Sequence, residues 1–170
     1  MIVVLLALSG LSACHRVTVQ AERSLVATFG RYQNYAWATE PVSSPIPGQL
    51  DASLIDRRIR ADVDRELAAK GYVRASNASA GMLVDYDLAL GPNSPAPYAD
   101  YFRRRVPVVP TRAVTDEEST LVLEFVDART GVWAFRASAT NVARSGDSPQ
   151  RLDDAVRQML ESLPPIATGR

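Results

Sequence analysis

The chain has 170 residues, in which 19 Lys and Arg balance 19 Asp and Glu, with one histidine and one cysteine. That balance provides no global field to draw nucleic acid or an anionic surface. A 46% apolar composition is that of a globular chain, long enough for one domain with a real core. The lone Cys14 excludes an internal disulfide, and His15, the lone histidine, supports neither imidazole catalysis nor a histidine-based metal site.

The N-terminus carries the clearest signal. Ile2 to Leu8 is apolar but too short for a bilayer span, which takes about 20 residues, and fits the core of a signal peptide. Leu11-Ser12-Ala13-Cys14 follows, an apolar residue, two small ones and a thiol, the order of a lipobox. Cleavage after Ala13 would leave a lipidated Cys14 at the new N-terminus. Residues 1–13 are therefore expected to be a signal peptide and 14–23 a lipidated tether running into a first strand. Residues 24–165 should form a single domain and 166–170 a tail. No Lys or Arg precedes Cys14, which leaves a start further upstream and a trimmed chain as alternatives. The competing reading of Cys14 is a free buried thiol at the end of an N-terminal strand.

Arg16 to Gln20 alternates with Val17 and Val19 on one face, a short strand, and Tyr32 to Trp37 is aromatic-rich and strand-like. Glu40 to Gly48 holds Pro41, Pro45 and Pro47 and reads as loop. Asp51 is a good N-cap for a helix whose stripe is Ile55, Ile59, Val63 and Leu67, widened by Leu54. Asp56, Arg57, Arg58, Asp62, Asp64, Arg65 and Glu66 are expected to form its solvated face. Gly71 should end it, and Tyr72 to Arg74 turns into a strand.

Met82 to Leu90 alternates, with Met82, Val84, Tyr86, Leu88 and Leu90 facing one way and Asp85 and Asp87 the other. Ser119 to Asp127 follows the same rule, Leu121, Leu123 and Phe125 inward and Glu124 outward. Asp127-Ala128-Arg129-Thr130-Gly131 is a hairpin loop, and the returning strand is expected to carry Trp133, Phe135, Ala137 and Ala139 on one face. A last helix follows, with Ser148 as cap, Pro149 in its first turn and a stripe of Leu152, Val156, Met159, Leu160 and Leu163; Pro164-Pro165 stops it. The sum is an α+β domain: an antiparallel sheet of about five strands with two amphipathic helices packed on one face.

In this order, Leu54-Ile55-Asp56-Arg57-Arg58-Ile59-Arg60, Glu66-Leu67-Ala68-Ala69-Lys70-Gly71-Tyr72, Leu83-Val84-Asp85-Tyr86, Leu121 to Gly131 and Leu163-Pro164-Pro165 resemble family 4136 of the domains of unknown function. Tyr32 to Trp37 resembles that family's early aromatic segment. Two places depart from the pattern: Ser119-Thr120 stands for Gly-Thr, and Phe135-Arg136-Ala137 stands for Trp-Arg-Gly, with Trp133 two residues earlier. The hairpin is expected to be locally altered. The resemblance implies a Gram-negative envelope lipoprotein with no assigned reaction, and hence no catalytic residues to carry over. His15 rather than Asp after Cys14 implies, by the same likeness, sorting to the outer membrane.

No Gly-rich phosphate loop and no Gly-x-Ser-x-Gly elbow occurs. Asp85, Asp87 and Glu124 are a candidate carboxylate cluster for a cation or for acid–base work, set against the ordinary expectation that polar residues line the wet side of a sheet. Gly91 to Thr115 is a proline-rich segment holding Tyr98, Tyr101, Phe102, Arg103, Arg104 and Arg105. Aromatics beside arginines suit a partner protein or an anionic head group; the alternative is a plain connecting loop. The expectation is a non-enzymatic outer-membrane lipoprotein facing the periplasm. It would bind another envelope component, with no metal, cofactor or nucleic acid. The second expectation is a carrier of a small amphiphile, with a cavity lined by Tyr86, Phe125 and Trp133.

Overall fold

The computed structural model describes residues 17–25, 27–40, 52–90, 119–142 and 150–166. The elements are β1 (Thr18–Arg23), a 3-10 turn (Phe29–Arg31), β2 (Asn34–Trp37), α1 (Ala52–Ala69), β3 (Val73–Arg74), β4 (Met82–Leu90), β5 (Ser119–Asp127), β6 (Trp133–Thr140) and α2 (Gln150–Glu161). The six strands form one sheet in the order β1-β6-β5-β4-β2-β3. The long central strands β4, β5 and β6, with β1, pair antiparallel. The α+β architecture is that expected from the alternation pattern.

The sheet is mixed, however. β2 runs parallel to both β3 and β4. The reason is the connection: a helix lies between β2 and β3, and a helical crossover returns the chain in the same direction. The aromatic segment read as a strand from Tyr32 is shorter, because the 3-10 turn precedes it and only Asn34–Trp37 pairs.

The core lies between the sheet and the helices. Met82 and Val84 of β4, Leu121, Leu123 and Phe125 of β5, and Phe135, Ala137 and Ala139 of β6 are fully buried. α2 covers the β6–β1 side through Leu152, Val156, Met159 and Leu160, and it packs along α1. From α1, Ile59, Val63 and Leu67 enter the core at the expected spacing, and Ile55 packs at its margin. Leu54 does not widen this stripe: it is 56% exposed.

The polar residues of α1 are not one solvated face either. Asp56, Arg60 and Asp62 are buried. Arg58 sets a two-pronged bond on Asp153 of α2 at 2.6 and 2.8 Å. Asp62 lies beside the same carboxylate. Desolvation and its contact with Asp153 push the Asp62 carboxyl up, while the Arg58 guanidinium holds Asp153 down. Arg65, bonded to Asp62 at 2.7 Å from one turn along the helix, opposes that rise.

Both turn predictions hold in detail. Gly71 has φ +92°, with the Gly71 N–H bonded to the Ala68 carbonyl and the Tyr72 N–H to the Leu67 carbonyl, the paired bonds of a Schellman cap. At the hairpin, the Asp127 carboxylate accepts the N–H groups of Arg129 and Thr130, and Gly131 takes φ +71°. These bonds, with the Tyr32 hydroxyl, outweigh desolvation and lower the Asp127 pKa. Asp51, Ser148 and Pro149, read as capping residues, lie outside the described residues.

The hairpin is altered, as its departure from the family pattern suggested. Phe125 pairs with Phe135 but Val126 pairs with Trp133, so Ala134 is an extra residue on β6. This bulge corrects the expected alternation. Trp133 leaves the Phe135 face and joins that of Arg136, whose guanidinium carbon is 5.8 Å from its ring centroid.

Ile59→Ala and Leu67→Ala, which open voids beneath α1, are expected to cost about 2–5 kcal/mol of unfolding free energy in urea titrations. Leu54→Ala should stay within about 0.5 kcal/mol, and Arg58→Ala, which breaks a part-exposed fork, should cost about 1 kcal/mol or less. Equal losses in all four would mean that α1 is wrongly oriented.

Candidate functional site

A polar chain runs from α1 to the far side of the sheet. It begins where Asp56 Oδ1 accepts the Tyr86 hydroxyl at 2.7 Å and Arg60 Nε at 2.8 Å. Asp56 is 0% exposed and Arg60 lies one helical turn on, so the pair is a buried ion pair. The Arg60 guanidinium carbon stands 4.5 Å from the Trp37 ring centroid, and Trp37 meets Tyr86 edge to face. A cation stacked on indole in a dry site gains from the ring quadrupole, which offsets part of its desolvation.

Arg60 Nη2 then donates to Thr39 Oγ1 at 3.2 Å, and the same hydroxyl donates to Asp85 Oδ1 at 3.2 Å. Thr39 sits on the bend after β2, where the β2–β4 pairing has ended at Trp37↔Val84. It therefore links the helix side of β4 to the opposite side. There Asp85 stands directly across from Glu124, and Glu124 directly across from Arg136, with which it forms an ion pair. Trp133 flanks Arg136 and completes the series.

This row differs from the expected wet face. Asp85 is 2% exposed and Glu124 8%. Two carboxylates opposite one another on adjacent strands repel, and burial strengthens the repulsion. Desolvation pushes the Asp85 carboxyl from 3.8 up to about 6, and Glu124 adds to the rise. The Tyr86 N–H, Thr39 and Arg60 oppose it. Counted along the chain, Asp56 and Glu124 match Arg60 and Arg136, so the cluster is neutral when Asp85 carries a proton. Asp85 Oδ1 accepts the Tyr86 N–H and Thr39 hydroxyl, while Oδ2 has no donor among the described residues. The arrangement gives up its proton near pH 6, well above the range of an exposed aspartate.

A second carboxylate organises the other end of α1. Asp64 Oδ1 accepts the Tyr35 hydroxyl at 2.8 Å and Trp37 Nε1 at 2.9 Å, and Oδ2 accepts Arg74 Nη1 at 3.0 Å. Burial and the Asp64 carboxylate raise the Tyr35 pKa well above the ordinary phenol value.

A family profile matches residues 18–165, described as a domain of unknown function, DUF4136. This span takes in every strand and both helices. The chain belongs to the DUF4136 family. A DUF4136 protein from Bacteroides thetaiotaomicron has a similar structure, with TM-score 0.55 at 16% identity over 85% of this chain and 94% of that one. PelC from Paraburkholderia phytofirmans, crystallised in a substituted form as a dodecamer, gives 0.50 at 11% identity over 85% and 96%. A PDZ domain protein from Parabacteroides distasonis gives 0.53 at 17% identity over 91% of this chain but only 38% of that one. At these identities the likeness is one of fold. No curated protein matches.

Of the residues singled out in sequence, Asp85 and Glu124 come together in this DUF4136 domain, but as buried partners and not as an open cluster. Among the described residues no three His, Cys, Asp or Glu side chains are placed to hold a metal. Tyr86, Phe125 and Trp133 do not line one space: the Tyr86 hydroxyl is bonded to Asp56, Phe125 packs edge to face on Phe135, and Trp133 is on the other face. Cys14 and the set Tyr98, Tyr101, Phe102, Arg103, Arg104 and Arg105 lie outside the described residues. Asp56, Arg60 and Thr39 were missed. The available signal was that Asp56 and Arg60 adjoin the apolar stripe, one turn apart, in a chain whose strands carry Trp37 and Tyr86 among their inward residues.

Because its folded pKa is raised, Asp85 binds a proton more tightly in the folded than in the unfolded chain. It therefore costs nothing below about pH 4 and takes away stability as pH rises to about 6, after which the loss is constant. Asp85→Asn keeps an acceptor for Thr39 and Tyr86 and removes the charge. It is expected to stabilise the domain by on the order of 2–3 kcal/mol at pH 7, with the gain vanishing toward pH 4. Urea titrations across that range test this, and a gain that does not change with pH would refute it.

Proposed function

We propose that this DUF4136 protein is a lipid-anchored protein of the outer membrane. Its domain faces the periplasm and binds another envelope component without performing a reaction. The observation that carries the reading is the placement of Leu11-Ser12-Ala13-Cys14 directly before the domain, whose first strand starts at Thr18. An acyl chain adds about 0.8 kcal/mol per buried methylene, so a multiply acylated Cys14 holds the domain at the membrane. Three residues, His15, Arg16 and Val17, separate Cys14 from the first strand, and a tether this short keeps the domain close to the bilayer.

The buried character of the titratable cluster supports a binding role over a catalytic one. Asp56, Asp85 and Glu124 are buried and bonded to Tyr86, Thr39 and Arg136. The partner would be met by the segment holding Tyr98, Tyr101, Phe102, Arg103, Arg104 and Arg105, where aromatic rings supply contact area and arginines supply forked donors for carboxylate or phosphate.

Cys14→Ser is expected to release the protein from membranes and abolish labelling by a palmitate analogue; unlabelled wild-type protein in the soluble periplasm would refute the anchor. Changing Tyr101, Phe102, Arg103, Arg104 and Arg105 together to Ser should leave the melting temperature nearly unchanged and weaken crosslinking to the partner in intact envelopes. The arginine share of that loss should be the more salt-sensitive. A variant that folds and crosslinks normally would place recognition elsewhere.

A further inference from the structure

Strand β1 lies at the edge of the sheet, and among the described residues its only strand partner is β6. One bond sets the phase of its ladder: the Ser24 N–H donates to the Ala134 carbonyl at 2.9 Å, continuing the register Arg23↔Phe135. Bonded and non-bonded pairs alternate in an antiparallel ladder, so Thr18, Gln20 and Glu22 also turn their backbone groups toward β6. Val19, Ala21 and Arg23 turn theirs outward. The opposite edge is not equivalent, because β3 has only two residues. In β1 every residue but Val19 is exposed, no proline interrupts it, and its register runs without a shift. Such an edge is a template for another strand.

We infer that this edge pairs with the same edge of a second copy of the chain, antiparallel, with the two Ala21 residues opposite one another on a two-fold axis. The phase admits only registers that oppose outward-facing residues. Placing Ala21 opposite Arg23 sets Glu22 against Glu22, a like-charge pair. Placing Ala21 opposite Val19 draws in Val17, which lies outside the strand and packs against the core. Centring on Ala21 uses the whole bonded stretch from Thr18 to Ser24 and puts the smallest side chain where the copies come closest. It also sets Gln20 against Glu22 twice, an amide donor for each carboxylate. Glu22 already stands beside Arg136, so the charge row of the far sheet face continues into the second copy with alternating donors and acceptors. The contact is isologous and closes at two.

The test uses the full chain with Cys14→Ser, which removes any acyl anchor and leaves an introduced thiol as the only one. In mild detergent, sedimentation should give twice the monomer mass. Ala21→Pro deletes an outward N–H and spares the β6 ladder, so it should give a monomer with unchanged sheet content; Gln20→Pro deletes an inward N–H and should lower the melting temperature. Ala21→Cys should form a disulfide-linked dimer under mild oxidation, because paired residues here stand about 5.5 Å apart, within disulfide range. Ala78→Cys, in an exposed turn, should not. A monomer throughout the concentration series, a dimer that survives Ala21→Pro, a closed assembly of more than two copies, or no crosslink at Ala21→Cys would each overturn the inference. If Ala21→Pro fails to fold, the crosslink decides alone.

Discussion

Three aromatic side chains with polar tips lie beneath α1, and each tip needs an acceptor where water is absent. Tyr35, Trp37 and Tyr86 are all buried, and an orphaned hydroxyl or indole N–H in such a place costs about 1–3 kcal/mol. Asp56 and Asp64 supply those acceptors from the helix. The constraint fixes the rotation of α1 about its axis: only one orientation points both carboxylates at the rings while sending Ile59, Val63 and Leu67 into the core. Everything downstream inherits that setting. It places Arg60 over Trp37 and Arg58 against α2.

The apolar half of the structure was legible because burial and periodicity are the same fact read twice. Met82 to Leu90 and Ser119 to Asp127 alternate in sequence and become the two longest strands with the expected boundaries. The stripe Ile59, Val63, Leu67 and the cap at Gly71 follow from helix geometry alone. The polar half was not legible. Asp56 read as a surface residue because nothing in one helix shows that a tyrosine thirty positions later will bond to it, and Arg60 drew no reading at all. Asp85 likewise read as facing water, since alternation distinguishes two faces but not whether the second is covered. Trp133 was misplaced for a different reason. A bulge adds one residue to β6, and a single-residue insertion reverses alternation without changing composition.

The row Asp85, Glu124, Arg136 gives the sheet a polarity that its backbone lacks. Across β4, β5 and β6 the side chains pass from a carboxyl that titrates near pH 6, through a carboxylate, to a guanidinium lying over indole. Burying one unmatched carboxyl is a standing cost, and an apolar residue at Asp85 would pack without it. The cost sits beside two ion pairs whose charges are already matched, and a proton taken up below about pH 6 completes the balance.

The pairing of β1 has a consequence for how the chain acquires its shape. Its partner β6 ends at Thr140, and the helix that covers both begins only at Gln150. A chain delivered N-terminus first therefore holds its earliest strand open until nearly all the rest has emerged. Contacts so distant in sequence form late and slowly. β4, β5 and β6 are linked through neighbours and can assemble as a meander while β1 waits. Among the described strands, the first to leave the exit is the last to find its place in the sheet.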